Sequence, residues 1–255
     1  MSGNTGWTIL GDTGLARLLR HAARYVDTNH PLTIATEAGD APADAIGVGP
    51  GVYASSIRHV VPFFTAFEAV EEIQRAIAEG EVGSVYGCYA SMRIPRGSSP
   101  EALIAGGVGP VLAVCRDLLP DPVARVWATR ASLFGENDAW FITLRLANDA
   151  IVTIEALASA GASARELLVE VTGSNQVLRA EPTTQGIRVE PLGNEAMVWP
   201  WWEDLAERCL ALIDRRATAG RWLDGDDLRA VWNAVQQSAA TGKAVDLHPH
   251  QAQPG

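Results

Sequence analysis

Trp7 to Leu10 form a short apolar run that meets Gly11-Asp12-Thr13-Gly14, and the next segment, LARLLRHAARYV, places apolar side chains at Leu15, Leu18, Leu19, Ala22 and Val26. That spacing predicts a strand, a glycine turn and an amphipathic helix. After Asn29-His30-Pro31, the β-branched stretch LTIATEA reads as a second strand ending at Glu37, which makes one βαβ unit. Residues 39–52, GDAPADAIGVGPGV, read as a loop around a four-residue apolar centre. By His59 the chain is expected to be entering a long helix, PFFTAFEAVEEIQRAIAEG, which opens at Pro62, turns Phe63, Phe67, Val70, Ile73 and Ile77 to one side and stops at Gly80.

Beyond this helix the period changes from 3.6 to 2. VGSVYGCYASMRIP alternates as a strand, residues 98–114 hold a glycine-rich loop and a short apolar helix, and VARVWATRASLF is another strand. WFITLRLANDAIVTIEALAS predicts a hairpin turned at Asn148-Asp149, and RELLVEVTGSNQVLRAE a second turned at Gly173-Ser174-Asn175. Residues 186–189 give one more short strand, and residues 201–217 and 225–241 are helices. The fold class expected is therefore α/β plus α+β: a vestigial Rossmann-like βαβ unit, then an open, mostly antiparallel sheet of four or five strands with helices on one face. The domain boundaries expected are a truncated Rossmann-like segment at 1–58, the sheet domain with C-terminal helices at 59–247, and a disordered polar tail, HPHQAQPG, at 248–255.

Composition narrows the partners. Thirty acidic against 20 basic residues give a net charge of −10 over 255 residues, and 19 of the 20 bases are arginine, Lys243 being the sole lysine. A pI near 5.0 argues against nucleic-acid binding, which needs clustered cations to displace counterions. The three cysteines, Cys88, Cys115 and Cys209, are far apart and read as free thiols of a reducing compartment. With neither a basic n-region nor an apolar run of about 18 residues, the chain is expected to be cytoplasmic and to have no membrane contact. No metal-ligand spacing occurs, since His248 and His250 stand in the tail.

The order of elements and four phrases, IAEGEVGSVYGCYASMRIPR, WFITLRLANDAIVTIEA, LLVEVTGSNQVLRAE and DGDDLRAVWNAVQQSAATGKAVDL, resemble the Gfo/Idh/MocA family of nicotinamide-dependent sugar and polyol oxidoreductases. The resemblance implies a Rossmann domain followed by an α+β domain whose open sheet packs in oligomers, and hydride exchange with NAD(P). Three parts of that family's machinery are altered in this chain. A doubly wound dinucleotide domain needs about 120 residues, at about 30 per βαβ unit, and the segment before His59 is less than half of that. Its phosphate turn keeps at most Gly11 and Gly14, with Asp12 where a phosphate would sit, although Glu37 still falls at the ribose-binding position. The family's E-K-P lysine is absent, because Lys243 belongs to a C-terminal A-T-G-x-x-V phrase. Its H-x-x-D pair falls on Pro110 and Ala113 of GPVLAVCRDLL, and no histidine occurs between residues 60 and 247. NAD(P) binding in the family manner is therefore not expected; Gly11, Gly14 and Glu37 read as vestiges of it.

Three functions stay open. The leading expectation is a non-redox oligomeric partner or scaffold subunit, pairing with itself or with a full-length homologue through the open sheet face. The second is a repurposed cofactor-independent enzyme, a lyase, isomerase or cyclase on a small metabolite, with His59, Tyr53 and Arg93 as catalytic candidates. Arg58, Arg96, Cys115 and Arg116 would then hold substrate, the thiol activated by the neighbouring guanidinium. The third is an atypical NAD(P)-dependent oxidoreductase.

Overall fold

The computed structural model describes residues 7–10, 19, 32–35, 46–48, 58–96, 98–133, 135, 138–159, 166–181 and 200–247. In chain order its strands are β1 (Trp7–Leu10), β2 (Leu32–Ala35), β3 (Ile46–Gly47), β4 (His59–Val60), β5 (Val85–Pro95), β6 (Val123–Ala131), β7 (Ala139–Leu146), β8 (Ile151–Ser159), β9 (Glu166–Gly173), β10 (Val177–Ala180), β11 (Leu223–Asp224) and β12 (Val245–Asp246). The main helices are α1 (Glu68–Ala78), α2 (Gly109–Leu118), α3 (Pro200–Ala219) and α4 (Gly225–Thr241). The strand expected at 186–189 and the tail at 248–255 lie outside the described residues, as does all of the first helix except the helical, fully buried Leu19.

The first sheet has the order β11-β4-β3-β1-β2. β1 pairs in parallel with β2 and with β3, β3 pairs in parallel with β4, and β11 closes the edge antiparallel to β4. The parallel β1 and β2, with helical Leu19 between them, are the βαβ unit expected from the sequence, and the sheet extends beyond it. Residues 46–47 are a strand and not a loop, and His59 sits in β4 and not at a helix entrance, so the sheet continues past residue 58 and recruits residues 223–224. Two-residue strands carry no readable period; long-range pairing makes them strands, as where Val61 N donates to the Gly47 carbonyl at 2.9 Å.

The long helix also starts later than Pro62. Phe63–Ala66 form a 3₁₀ turn, Phe67 is extended (φ −65°, ψ 129°), and α1 opens at Glu68. It buries Val70, Ile73 and Ala76. It ends where Gly80, at φ +76°, takes the left-handed conformation that a side chain would resist.

The second sheet has seven strands in the order β10-β9-β5-β8-β7-β6-β12, more than the four or five expected. All neighbours are antiparallel except β5 and β8, which run parallel from Gly87↔Ile151 to Pro95↔Ser159. The Asn148-Asp149 turn forms as expected: Asp149 has φ +68°, and Asn148 Oδ1 accepts from Ala150 N at 3.0 Å. Alternation assigns the faces. Cys88, Ala90, Met92 and Ile94 of β5, and Val152, Ile154, Ala156 and Ala158 of β8, are buried under the helices, while Tyr89, Arg93, Ile151 and Glu155 point to the other side. α4 is tied to β6 by Ser238, whose buried hydroxyl accepts from Ala128 N at 2.9 Å and donates to the Lys243 carbonyl at 2.7 Å.

Candidate functional site

The helix that ends in α2 is the centre of interest, because any proton-transfer chemistry of the kind the sequence resemblance implies would sit there. It begins with a helical turn, Pro100–Leu103, passes through a π turn at Ile104–Val108, and continues as α2 with Pro110 in its first turn. The π turn brings Gly107 onto the sheet. A Cβ on Gly107 would stand 3.4 Å from Ala156 Cβ and 3.1 Å from Leu103 Cδ1. Such single π turns recur at functional sites, yet here Gly106, Gly107 and Val108 are all buried.

Every polar side chain of α2 is turned inward. Cys115 is fully buried, and its thiol is pushed well above the ordinary range by a hydrogen bond with Cys88 and by burial, against a smaller opposing effect of Arg116. That corrects the expectation of an activated thiol: the neighbouring guanidinium is spent elsewhere. Arg116, with 3% of its side chain exposed, donates from Nε and Nη2 to Asp227 Oδ2 at 3.2 and 2.9 Å. It also donates from Nη1 to the carbonyls of Leu119 (2.7 Å) and Asp121 (2.6 Å), and from Nη2 to that of Pro120 (3.4 Å). A guanidinium has five N–H donors, and these bonds use them all, leaving Arg116 nothing with which to hold a substrate. Asp117 accepts from both Nη1 and Nη2 of Arg216 at 2.6 Å, with Gln74 beside it. Adjacent residues of α2 thus clamp α4 and α3, a role the sequence reading missed. Its one signal was a charged pair, Arg116-Asp117, set inside an otherwise apolar run, GPVLAVCRDLL.

The other candidates are dispersed. His59 is half-buried on β4, its ring 5.4 Å from that of Trp222 and tilted by 40°, and it pairs in register with Asp224. Arg58 is exposed, and its carbonyl accepts from Gly225 N at 2.9 Å. Arg93 stands on the other sheet, on the face turned away from the helices, 4.0 Å from Glu166. The structure therefore does not bring His59 and Arg93 to one site, because odd-numbered positions of β5 face away from the helix layer. Arg96 is exposed just past β5, its backbone N–H bonded to the Ser159 carbonyl. Tyr53, Gly11, Gly14 and Glu37 lie outside the described residues. Among the described residues no three His, Cys, Asp or Glu side chains cluster to hold a metal, and no helix is long and apolar enough to cross a membrane.

No sequence-family model and no curated protein matches the chain. Solved structures do match it in shape. A myo-inositol dehydrogenase from Corynebacterium glutamicum superposes with a TM-score of 0.66 at 16% identity, covering 96% of this chain and 100% of that one. GenD2 from gentamicin A biosynthesis, solved in complex with NAD, gives 0.64 at 17% identity over 95% and 97%. The scyllo-inositol dehydrogenase from Lactobacillus casei, solved with bound NAD(H) and scyllo-inositol, gives 0.63 at 9% over 95% and 99%. At these identities the likeness establishes the fold, and it is the oxidoreductase-like fold that the sequence resemblance implied. That fold raises the question of a nicotinamide cofactor, and α2 does not fit its acid–base chemistry. This helix holds no histidine and no lysine, with Pro110 and Ala113 at the positions where the sequence resemblance implies the acid–base pair, the thiol is sealed and holds its proton, and both charged side chains are internally paired.

Proposed function

We propose that this oxidoreductase-like protein does not perform hydride transfer by a histidine or lysine relay and acts as a self-associating, non-redox partner subunit. The observation that carries the reading is the state of α2, whose ionisable groups all serve internal packing. What the fold still offers a partner is the open face of the second sheet. There Tyr89, Phe141, Leu157, Leu168 and Trp127 stand between Arg-bearing ion pairs at the rim, Arg93–Glu166 and Arg125–Asp246 among them. Aromatic and aliphatic side chains at the centre with arginine around them is the composition of protein interfaces.

A second reading, an atypical NAD(P)-dependent oxidoreductase, is favoured by the parallel order β4-β3-β1-β2. It reverses direction between β1 and β3, the switch point at which doubly wound sheets take dinucleotides. Thermal melting with millimolar NAD(H) or NADP(H), run beside light scattering, separates the two. The partner-subunit reading expects no shift and a mass of twice 27.1 kDa at micromolar concentration. Because ligand at 100-fold excess over its Kd stabilises by about 2.7 kcal/mol, a shift of several degrees with a monomeric mass would replace it by the second reading.

A further inference from the structure

Two of the three thiols meet between the layers. Cys88, the fourth residue of β5, points to the helix side, and its register partners there, Val152 on β8 and Val171 on β9, are buried with it. Cys115 lies on α2, which packs on β5, and its thiol is hydrogen-bonded to that of Cys88. Only 4% and 0% of the two residues are exposed. A disulfide needs Cα atoms about 4.4–6.8 Å apart, closer than packed layers usually come. Small residues bring these layers together: Ala90 follows Cys88 on the same face, Ala113 precedes Cys115, and Gly107 rests on Ala156.

We infer that Cys88 and Cys115 are an oxidisable dithiol, closed to a disulfide by a small hydroperoxide, and that the closed form pins α2 to β5. The inference is independent of the self-association proposed above. The Cys88 sulfur, the less deeply buried of the two, attacks the peroxide; an S–O bond forms as the O–O bond breaks, and water or an alcohol leaves. The Cys115 sulfur then attacks the resulting sulfenic acid. An S–S bond forms, the S–O bond breaks, and the hydroxyl departs as water with the Cys115 proton. Two thiols together lose two electrons, and one peroxide gains them.

Burial decides which oxidant reaches the pair. Hydrogen peroxide is small enough to enter during a brief local opening of α2, whereas a bulky disulfide such as oxidised glutathione is not. The same burial keeps the resolving thiol beside the first sulfur, so the sulfenic acid is captured before a second peroxide arrives. The new bond closes a loop over residues 88–115, the stretch that holds the π turn, and a cross-link of that span restricts the unfolded chain. Cys209, on α3 and equally buried, is the internal control.

The test treats the folded full chain overnight with millimolar hydrogen peroxide at pH 8, then alkylates free thiols in denaturant and maps peptides without reduction. Free thiols are expected to fall from three to one, Cys209, with one linked peptide joining Cys88 to Cys115. The melting midpoint should rise by about 5–10 °C and return after dithiothreitol. Oxidised glutathione at the same concentration should leave all three thiols free. In Cys115→Ala, Cys88 should stop at a sulfenic acid that dimedone traps; if that variant does not fold, the wild-type map decides alone. Three thiols surviving peroxide, sulfinic acid on Cys88 without a link, or a link that forms only in denaturant overturns the inference, and a link that leaves the midpoint unchanged overturns the pinning of α2.

Discussion

Asp117 on α2 and Arg216 on α3 form a bidentate ion pair, each carboxylate oxygen 2.6 Å from a guanidinium nitrogen, with only 6% and 10% of the two side chains exposed. Next to it, Arg116 makes the equivalent link to α4. Two neighbouring residues thus fix both C-terminal helices to the helix that, in the sequence resemblance, carries catalysis. Breaking one partner of a buried pair strands the other charge. Asp117→Ala is expected to cost about 3–5 kcal/mol in urea unfolding. The double variant Asp117→Leu with Arg216→Met should recover most of that loss, and a double variant as unstable as the single would show that the pair itself is not the cause.

Gly173 and Gly107 both make close approaches, of different kinds. A Cβ on Gly173 would stand 2.3 Å from the Val82 carbonyl oxygen, a backbone atom, whereas the tightest contact at Gly107 is 3.1 Å from the end of the flexible Leu103 side chain. Gly173→Ala is expected to destabilise by about 1–3 kcal/mol. Gly107→Ala should cost less than about 1 kcal/mol, since alanine also favours the helix. Thermal midpoints in the reverse order would contradict the assignment of these contacts.

Ser238 bonds two backbone groups at once, the buried Ala128 amide and the partly buried Lys243 carbonyl. Its replacement by alanine leaves Ala128 N–H and the Lys243 carbonyl without their partner, an expected loss of about 2 kcal/mol. Hydrogen exchange gives the specific readout: the Ala128 amide should lose protection more than those of Ile142 and Ile154 in the neighbouring strands.

The thiols set an alkaline limit on stability. Burial pushes Cys209 from 9.0 up to about 12, and Cys115 is raised as well. Both groups hold their protons more tightly folded than unfolded. Their contribution is complete below pH 9 and fades as pH rises toward 12, because the unfolded chain ionises first. Moving from pH 8 to pH 10 should cost about 1 kcal/mol through Cys209 alone. Cys209→Ala should be less stable at pH 8 but lose less between the two pH values; an identical loss would remove Cys209 as a source.

Much of the second sheet is legible in the sequence because its strands alternate over eight or more residues and its turns carry Asn148-Asp149 and Gly173-Ser174-Asn175. The parallel pairing of β5 with β8 is not, since nothing local distinguishes a strand whose neighbours arrive more than 60 residues later. β3, β4 and β11 are too short to show any period and exist through pairing alone. At the candidate site, that α2 carries neither histidine nor lysine is readable directly from GPVLAVCRDL. The inward commitment of Arg116 is not, because it depends on Asp227 and on three carbonyls that only the folded loop 119–121 presents.

The antiparallel closure of β4 by β11 also has a consequence for biosynthesis. Residues 59–60 leave the ribosome early, but their outer partner, 223–224, is made only after six of the seven strands of the second sheet. At about 5–20 residues per second the edge of the first sheet waits on the order of ten seconds for its last strand. The usual vectorial order, in which an N-terminal unit finishes before the next begins, gives way to two sheets completed together, β11 and then β12. The nascent first sheet keeps an open edge, available to a chaperone or a neighbouring chain, until the C-terminal helices are in place.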